Sequence, residues 1–119
     1  MKKKNQKPAD VIDMYSKLLD GKTFKIGDEI VEISTNRYSD GNRVAIRLVC
    51  TEGEDKGMPY CTLTVNIPEV TLLPGEIIIK SWEENEYAAE AAKSSGLFND
   101  TGKRVRTGYV QAEIWEILK

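Results

Sequence analysis

The sequence contains no histidine and only two cysteines, Cys50 and Cys61. Without histidine, the chain cannot build a histidine-dependent triad, a histidine metal ligand or a histidine acid–base catalyst. Two cysteines cannot supply the four ligands of a zinc site, and they lack the C-x-x-C spacing of a redox motif. Catalysis would therefore depend on carboxylates, tyrosine, lysine or a cysteine that has no histidine base beside it.

Catalytic motifs and long apolar runs are missing as well. The sequence has no nucleophile elbow, P-loop or dinucleotide-binding fingerprint. No apolar run approaches the length of a membrane span. The basic start MKKKNQKPAD has no apolar stretch behind it, so we expect no secretory signal. These absences predict a cytoplasmic, non-enzymatic protein that uses no cofactor or metal and contacts no membrane.

Positive charge is scarce outside the N-terminus. The net charge is −2, but the first seven residues hold Lys2, Lys3, Lys4 and Lys7. Without them, 13 basic residues stand against 19 acidic ones, a net charge of −6. We predict that residues 1–7 form a disordered basic tail, with weak nucleic-acid contact as the alternative role. Residues 8–119 have the length of one domain.

The spacing of apolar residues predicts a helix followed by strands. Apolar side chains recur at helical spacing between Pro8 and Leu19, and Gly21 suits the C-terminal cap. Two hairpin signals follow, Gly27-Asp28 and Asp40-Gly41, and a longer loop lies near EGEDKGM. The predicted cross-strand pairs are Phe24–Val31, Val31–Cys50, Ile33–Leu48, Cys50–Cys61, Leu48–Leu63, Ile46–Val65 and Val44–Ile67.

These registers agree with one another, because together they place one apolar set on a single face of a four-stranded antiparallel meander. A one-residue slip in any hairpin would move one strand's apolar set to the other side. The buried set would be Phe24, Val31, Ile33, Val44, Ile46, Leu48, Cys50, Cys61, Leu63, Val65 and Ile67. The two cysteines are then buried thiols, although their proximity would also permit a disulfide outside the cytoplasm.

The second half of the chain predicts one or two further strands and a second helix. EIIIK is a short strand, and Ser81 to Glu84 has the form of a capping box that starts a helix. That helix would end near Ser94 with Gly96 as cap, and its apolar stripe would be Tyr87, Ala88, Ala91 and Ala92. NDTG would be a turn, and RVRTGYVQAEIWEIL one strand with a bulge at Gly108. The predicted fold is α+β, a single antiparallel sheet packed against two helices.

Two surfaces are candidates for partner contacts. The polar sheet face carries Tyr38, Arg43, Arg47, Tyr60 and Asn66, and arginine and tyrosine are favoured interface residues. A solvated face is the alternative, since antiparallel sheets commonly leave one side in water. The second surface is the acidic segment Glu83, Glu84, Asn85 and Glu86. Its carboxylates could be solvated near a helix N-terminus, or Glu86 and Glu90 could share a metal.

A basic patch is the candidate for nucleic-acid contact. Lys103, Arg104 and Arg106 are close in sequence and could join Arg43 and Arg47 if their strands were neighbours. The overall acidic charge and the lack of an aromatic stacking motif argue against this use. The sheet edges must also be covered, charged or paired, and a homodimer is one solution.

Several strings resemble a known but uncharacterised protein family. They are YSDGNRVAIRL (38–48), PYCTLTVNIP (59–68), IKSWEENE (79–86), and the short pieces at 96–97, 101–102 and 108–110. The set is similar to small proteins carried by phages, plasmids and conjugative elements of Gram-positive bacteria. The likeness runs from about Tyr38 to Glu113 and leaves out the segment from Met1 to Gly21.

The resemblance implies an accessory protein of a mobile element rather than a reaction. Small proteins in that setting often inhibit host defence, and anti-CRISPR proteins that block Cas nucleases are among them. The exposed motif positions would then contact a protein or ribonucleoprotein: Tyr38, Arg43, Tyr60, Asn66, Asn85 and Glu86. The alternative is a nucleic-acid-binding factor for phage or plasmid replication or transfer.

Overall fold

The computed structural model describes residues 8–39 and 43–119, with side chains from Asp13 onward. The predicted tail and the Asp40-Gly41 turn lie outside these residues. Within them the elements are α1 (Pro8–Leu19), β1 (Thr23–Ile26), β2 (Glu29–Arg37), β3 (Val44–Cys50), β4 (Pro59–Thr62), β5 (Glu76–Ile79), a 3₁₀ turn (Glu83–Asn85), α2 (Glu86–Lys93), β6 (Phe98–Thr107) and β7 (Val110–Ile117). None of the described helices is long and apolar enough to cross a bilayer.

The first sheet is an antiparallel meander in the order β1-β2-β3-β4. The predicted pairs Phe24–Val31, Val31–Cys50 and Ile33–Leu48 are confirmed. Helix α1 has the predicted bounds, and Gly21 follows it with φ of +85°. The α+β class and the four-stranded meander predicted from the hairpin signals are therefore both present.

The register predicted for β4 is wrong by two residues. Leu48 lies opposite Cys61 rather than Leu63, and the pairing shifts at Val49, which faces Pro59. The Cys50 amide donates to the Met58 carbonyl over 2.9 Å, so the β3–β4 loop is shorter than predicted. Because a two-residue shift preserves the alternation of faces, Cys61 still packs towards the core. The predicted pairs Cys50–Cys61, Leu48–Leu63, Ile46–Val65 and Val44–Ile67 are absent from the registers of the described strands.

Residues 63–65 join the first sheet to a second one. The Leu63 amide donates to the Ile46 carbonyl over 2.9 Å, and the Lys80 amide donates to the Leu63 carbonyl over 2.8 Å. The Val65 amide donates to the Ile78 carbonyl over 3.0 Å. This short segment, which we call the linking segment, therefore bonds to both β3 and the end of β5.

The second sheet is antiparallel in the order β5-β7-β6, so the predicted single sheet is wrong in this respect. The predicted last strand is a hairpin, because Gly108 and Tyr109 form the turn between β6 and β7, with Gly108 at φ of +61°. NDTG lies within β6 rather than in a turn. The irregularity that NDTG produces is a register shift between Asp100 and Arg104.

A main core lies between the sheets and both helices. It contains Tyr15 and Leu19 of α1, the inner face of the first sheet, and Trp115, which is fully buried. A smaller cluster of Ile78, Ala112 and Ile114 occupies the opposite face of the second sheet. Val65 and Ile67 pack on this smaller cluster, which corrects their predicted place on the first sheet.

Helix α2 begins later than its sequence predicts. Ser81 and Glu84 form no capping box, since the 3₁₀ turn from Glu83 precedes the helix and neither start has a side-chain cap. The alanines Ala88, Ala89 and Ala92 are buried as the helix approaches the core. Tyr87, which was predicted to lie on the apolar stripe, is 78% exposed instead. Gly96 ends the segment with φ of +85°, and Phe98 is buried behind it, as predicted.

Candidate partner-binding surface

No described element covers one side of the first sheet, which we call the outer face. Apolar side chains of β2 and β3 alternate inward to the main core, so their intervening residues point away from it. The exposed residues of these two strands on the outer face are Glu32, Ser34, Asn36 and Arg47. The outer face is thus polar, as its alternation predicts.

A row of three side chains crosses the outer face. Arg47 of β3 lies directly opposite Ser34 of β2 and directly opposite Thr62 of β4. Directly opposed residues have Cβ atoms about 5 Å apart, so two hydroxyls flank the guanidinium group. The Arg47 side chain is exposed, and its guanidinium group makes no hydrogen bond or ion pair with any residue that the structure describes. We call Ser34, Arg47 and Thr62 the Arg47 row.

Two shallow hollows adjoin at Ser34 and form a trough along β2 and β3. One has a volume of about 300 Å³, and its lining includes Tyr38, Ala45, Arg47 and Thr62. The other has a volume of about 330 Å³ and extends past Glu32 and Val49 to Lys56. The Arg47 row therefore lies within the trough, with Ser34 at the junction of the two hollows. Lys56 has no sequence signal for this role, because it belongs to the β3–β4 loop.

Two residues predicted for partner contact, Tyr38 and Arg43, make hydrogen bonds within the fold. The Tyr38 hydroxyl and the Thr64 hydroxyl share a hydrogen bond of 2.8 Å. The Arg43 guanidinium donates to the Ile67 carbonyl over 2.8 Å and also to the Val70 carbonyl. Arg43 thereby anchors the connection that covers the smaller cluster. Of these two residues, only Tyr38 also lines the trough, where a ligand can contact it.

Tyr60 and Asn66 lie apart from the trough. Tyr60 is 38% exposed on β4, beside the register shift, and burial of the ring raises the pKa of its hydroxyl. Asn66 follows the linking segment and is half-buried. Neither lines either hollow of the trough.

The residues of the predicted acidic surface differ in their contacts and exposure. The Lys80 ammonium contacts the Glu84 carboxylate over 2.7 Å, which raises the pKa of Lys80 and lowers that of Glu84. Asn85 is buried, and its amide donates to the Thr62 carbonyl over 2.7 Å. Glu83 and Glu86 remain exposed. The acidic segment is therefore partly structural.

The predicted basic patch is not assembled. Lys103 contacts Glu76 over 2.6 Å, and Arg104 donates two hydrogen bonds of 2.9 Å to Asp100. The Arg104 guanidinium holds the pKa of Asp100 well below its usual range. Both cations lie in the second sheet, whereas Arg43 adjoins β3 and Arg47 lies within it. Among this set, Arg106 is exposed and has no partner in the described part of the chain.

An ion-pair node that the sequence did not indicate lies beside α2. Lys93 contacts Asp100 and Glu113 over 3.3 Å each and lies 5.7 Å from the centre of the Trp115 ring. The Trp115 indole donates to Glu113 over 2.9 Å. Desolvation lowers the pKa of Lys93, but its two carboxylate partners outweigh this effect and leave the pKa raised. The node joins α2 to the second sheet.

The two thiols lie in or against the core and form no disulfide. Cys50 is buried and Cys61 is half-buried, and burial raises the pKa of Cys61 to about 11. A thiol with a raised pKa is a weak nucleophile near neutral pH. Within residues 8–39 and 43–119, no group of three acidic or cysteine side chains is arranged to hold a metal ion.

Comparison with known proteins gave no match to a family model, a curated protein or a solved structure. The surface of the molecule itself therefore carries the functional argument.

Proposed function

We propose that the chain is a non-enzymatic binding protein of a mobile genetic element that inhibits a host defence system. It would act in the cytoplasm by docking on a protein or ribonucleoprotein, and the specific form is an anti-CRISPR protein bound to a Cas nuclease. The sequence resemblance supplies the setting. The observation that supports binding is the exposed Arg47 side chain on the outer face, whose guanidinium group bonds to no other described residue.

The distribution of internal contacts supports this surface over the other candidates. Arg43 and Asn85 each bond to backbone carbonyls of the fold, so their removal would disturb structure before binding, and Glu84 is already paired with Lys80. The Arg47 guanidinium group bonds to no described residue, and Arg47 lies between two exposed hydroxyl-bearing residues. An exposed arginine surrounded by hydrogen-bonding side chains is typical of an interface anchor.

The charges on and beside the outer face make Arg47 a local cationic position rather than part of a basic patch. The outer face carries Lys25 and Arg47 against Glu32, and the adjoining β3–β4 loop carries Lys56 against Glu52, Glu54 and Asp55. A single exposed arginine can still pair with one carboxylate of a partner. The nucleic-acid alternative has less support, because Lys103 and Arg104 are already neutralised by carboxylates.

The test pairs a plasmid-interference assay in a Gram-positive host with binding to purified Cas ribonucleoproteins of several types. The chain should restore transformation by a targeted plasmid and should co-elute with one of the ribonucleoproteins. Arg47→Glu should lose both effects. Arg106→Glu is the matched control, because it reverses another exposed arginine that pairs with no described residue, at a site away from the outer face.

Undiminished targeting with every nuclease type would contradict the inhibitor proposal. Retention on naked single- or double-stranded DNA or RNA at low salt, lost in the Arg47→Glu variant, would favour the nucleic-acid alternative. Such binding should weaken steeply with added salt, because it releases counterions.

A further inference from the structure

We infer that the trough binds an extended segment of the protein partner, with the carboxylate of one acidic side chain of that segment paired to Arg47. This inference rests on the proposed function and names the chemistry of the partner. Its first support is shape, since the two hollows adjoin end to end along β2 and β3 rather than forming one round pocket.

The length of the trough suits a short extended peptide. On β3 it runs from Ala45 to Cys50 and continues to Thr51. At about 3.4 Å per residue this is roughly 20 Å, the span of about six residues of an extended chain. Arg47 lies a third of the way along, so the paired carboxylate would belong to an interior side chain and not to a chain terminus.

The Arg47 row has the composition of a carboxylate site. A guanidinium group donates two parallel hydrogen bonds to a carboxylate, and this planar geometry is matched poorly by a lysine. The flanking hydroxyls of Ser34 and Thr62 can each donate one further hydrogen bond. All three groups are exposed, so a ligand can reach them without displacing part of the fold.

Glu32 decides between a peptide and a nucleic acid. It lies on the outer face two residues from Ser34, in the second hollow of the same trough, where Lys56 of the β3–β4 loop is outnumbered by Glu32 and the exposed loop carboxylates Glu52, Glu54 and Asp55. A nucleic-acid strand carries a negative charge at every nucleotide, so a phosphate would fall beside the Glu32 carboxylate and be repelled. A peptide with one acidic residue avoids this repulsion. Recognition of phosphopeptides commonly uses clusters of arginines, whereas the other arginine that lines the trough, Arg37, is paired with Asp13.

The test is selection from a phage-displayed library of short random peptides on the intact chain. Binders should carry aspartate or glutamate at one fixed position among apolar or hydroxyl-bearing neighbours. Replacing that residue by its amide should weaken binding by about tenfold to a hundredfold, the range for loss of a charge-assisted hydrogen-bonded pair. Arg47→Gln should no longer select an acid, whereas Arg106→Gln should select the same motif.

Charge reversal provides a readout that a purely structural role would not change. Arg47→Glu should select lysine or arginine at the position where the native chain selects an acid. Absence of enrichment, or an acidic preference that survives in Arg47→Gln, would overturn the inference. If the chain inhibits a ribonucleoprotein through Arg47 but selects no acidic peptide, this inference fails while the proposed function stands. If the chain restores transformation with no nuclease type in the interference assay, the proposed function fails instead.

Discussion

Gly75 is the position where the structure predicts the sharpest effect of adding a single methyl group. Its φ is +84°, and a Cβ atom placed there would lie 2.5 Å from Cζ of the Tyr15 ring. Tyr15 projects from α1 into the main core and is 8% exposed, so its ring has little room to move. The Gly75 carbonyl also accepts a hydrogen bond of 2.9 Å from the Ile117 amide. Gly75→Ala therefore strains a backbone that is fixed by the Tyr15 ring and by the hydrogen bond from Ile117.

The magnitude follows from two contributions. A non-glycine residue with left-handed backbone geometry costs about 1–2 kcal/mol. Forcing a methyl group into a packed core costs about 1–3 kcal/mol more, because the ring must shift with its neighbours. We expect Gly75→Ala to lower the free energy of unfolding by about 2–5 kcal/mol. That is a large share of the stability of a domain of this size.

The measurement is urea unfolding followed by tryptophan fluorescence, since Trp115 is fully buried in the same core. Gly57→Ala is the matched control, because Gly57 has φ of +85° and no atom lies within 4 Å of the place a Cβ would take. The control should lose only the backbone contribution of about 1–2 kcal/mol. Tyr15→Leu combined with Gly75→Ala should lose less than the sum of the two single changes.

Equal losses of stability in Gly75→Ala and Gly57→Ala would refute the predicted clash with Tyr15. Full additivity in the double variant would refute it independently.

Three further predictions test other parts of the fold. Asn85→Ala should lower the free energy of unfolding by about 1–3 kcal/mol, because the Thr62 carbonyl loses the amide that bonds to it. The lowered pKa of Asp100 means that its stabilising contribution is present above its unfolded pKa and declines as the pH falls below about 4. The stability difference between the native chain and Asp100→Asn should therefore shrink in acid. Cys50 and Cys61 should both react slowly with a thiol reagent near pH 8, because burial raises both pKa values.

Each of these expectations has a direct check. The stability of Asn85→Ala is measured by chemical denaturation. A free energy of unfolding equal to that of the native chain would contradict the stabilising role of the Asn85 amide. For Asp100, denaturation is measured across acidic pH, and a difference that grows in acid would reverse the predicted sign. Immediate reaction of both thiols in the native protein, at the rate seen after unfolding, would contradict their placement against the core.

Local signals in the sequence determine much of the first sheet and little of its connection to the second. The two-residue turn at Gly27 sets the β1–β2 register, and the apolar spacing between Pro8 and Leu19 marks α1. The shift beside Pro59 is harder to predict, because its cause is the point at which the β3–β4 loop closes. The division into two sheets depends on bonds between residues distant in sequence, such as Leu63 and Lys80.

The candidate site residues also differ in whether local sequence signals or long-range contacts determine their roles. Arg47 can be placed on an exposed face from alternation alone, because its strand neighbours Ile46 and Leu48 are apolar. Arg43 and Asn85 look equally suited to a partner in the sequence. Their actual acceptors are backbone carbonyls of other segments, which no local pattern reveals.

The linking segment has a consequence for the cooperativity of unfolding. Its amides bond to β3 on one side and to β5 on the other, so neither sheet can open here without breaking bonds that stabilise its neighbour. The amide protons of Leu63, Val65 and Lys80 should accordingly exchange with solvent only when the whole molecule unfolds. The two sheets would then melt together, and the outer face would persist until the core of the second sheet is lost.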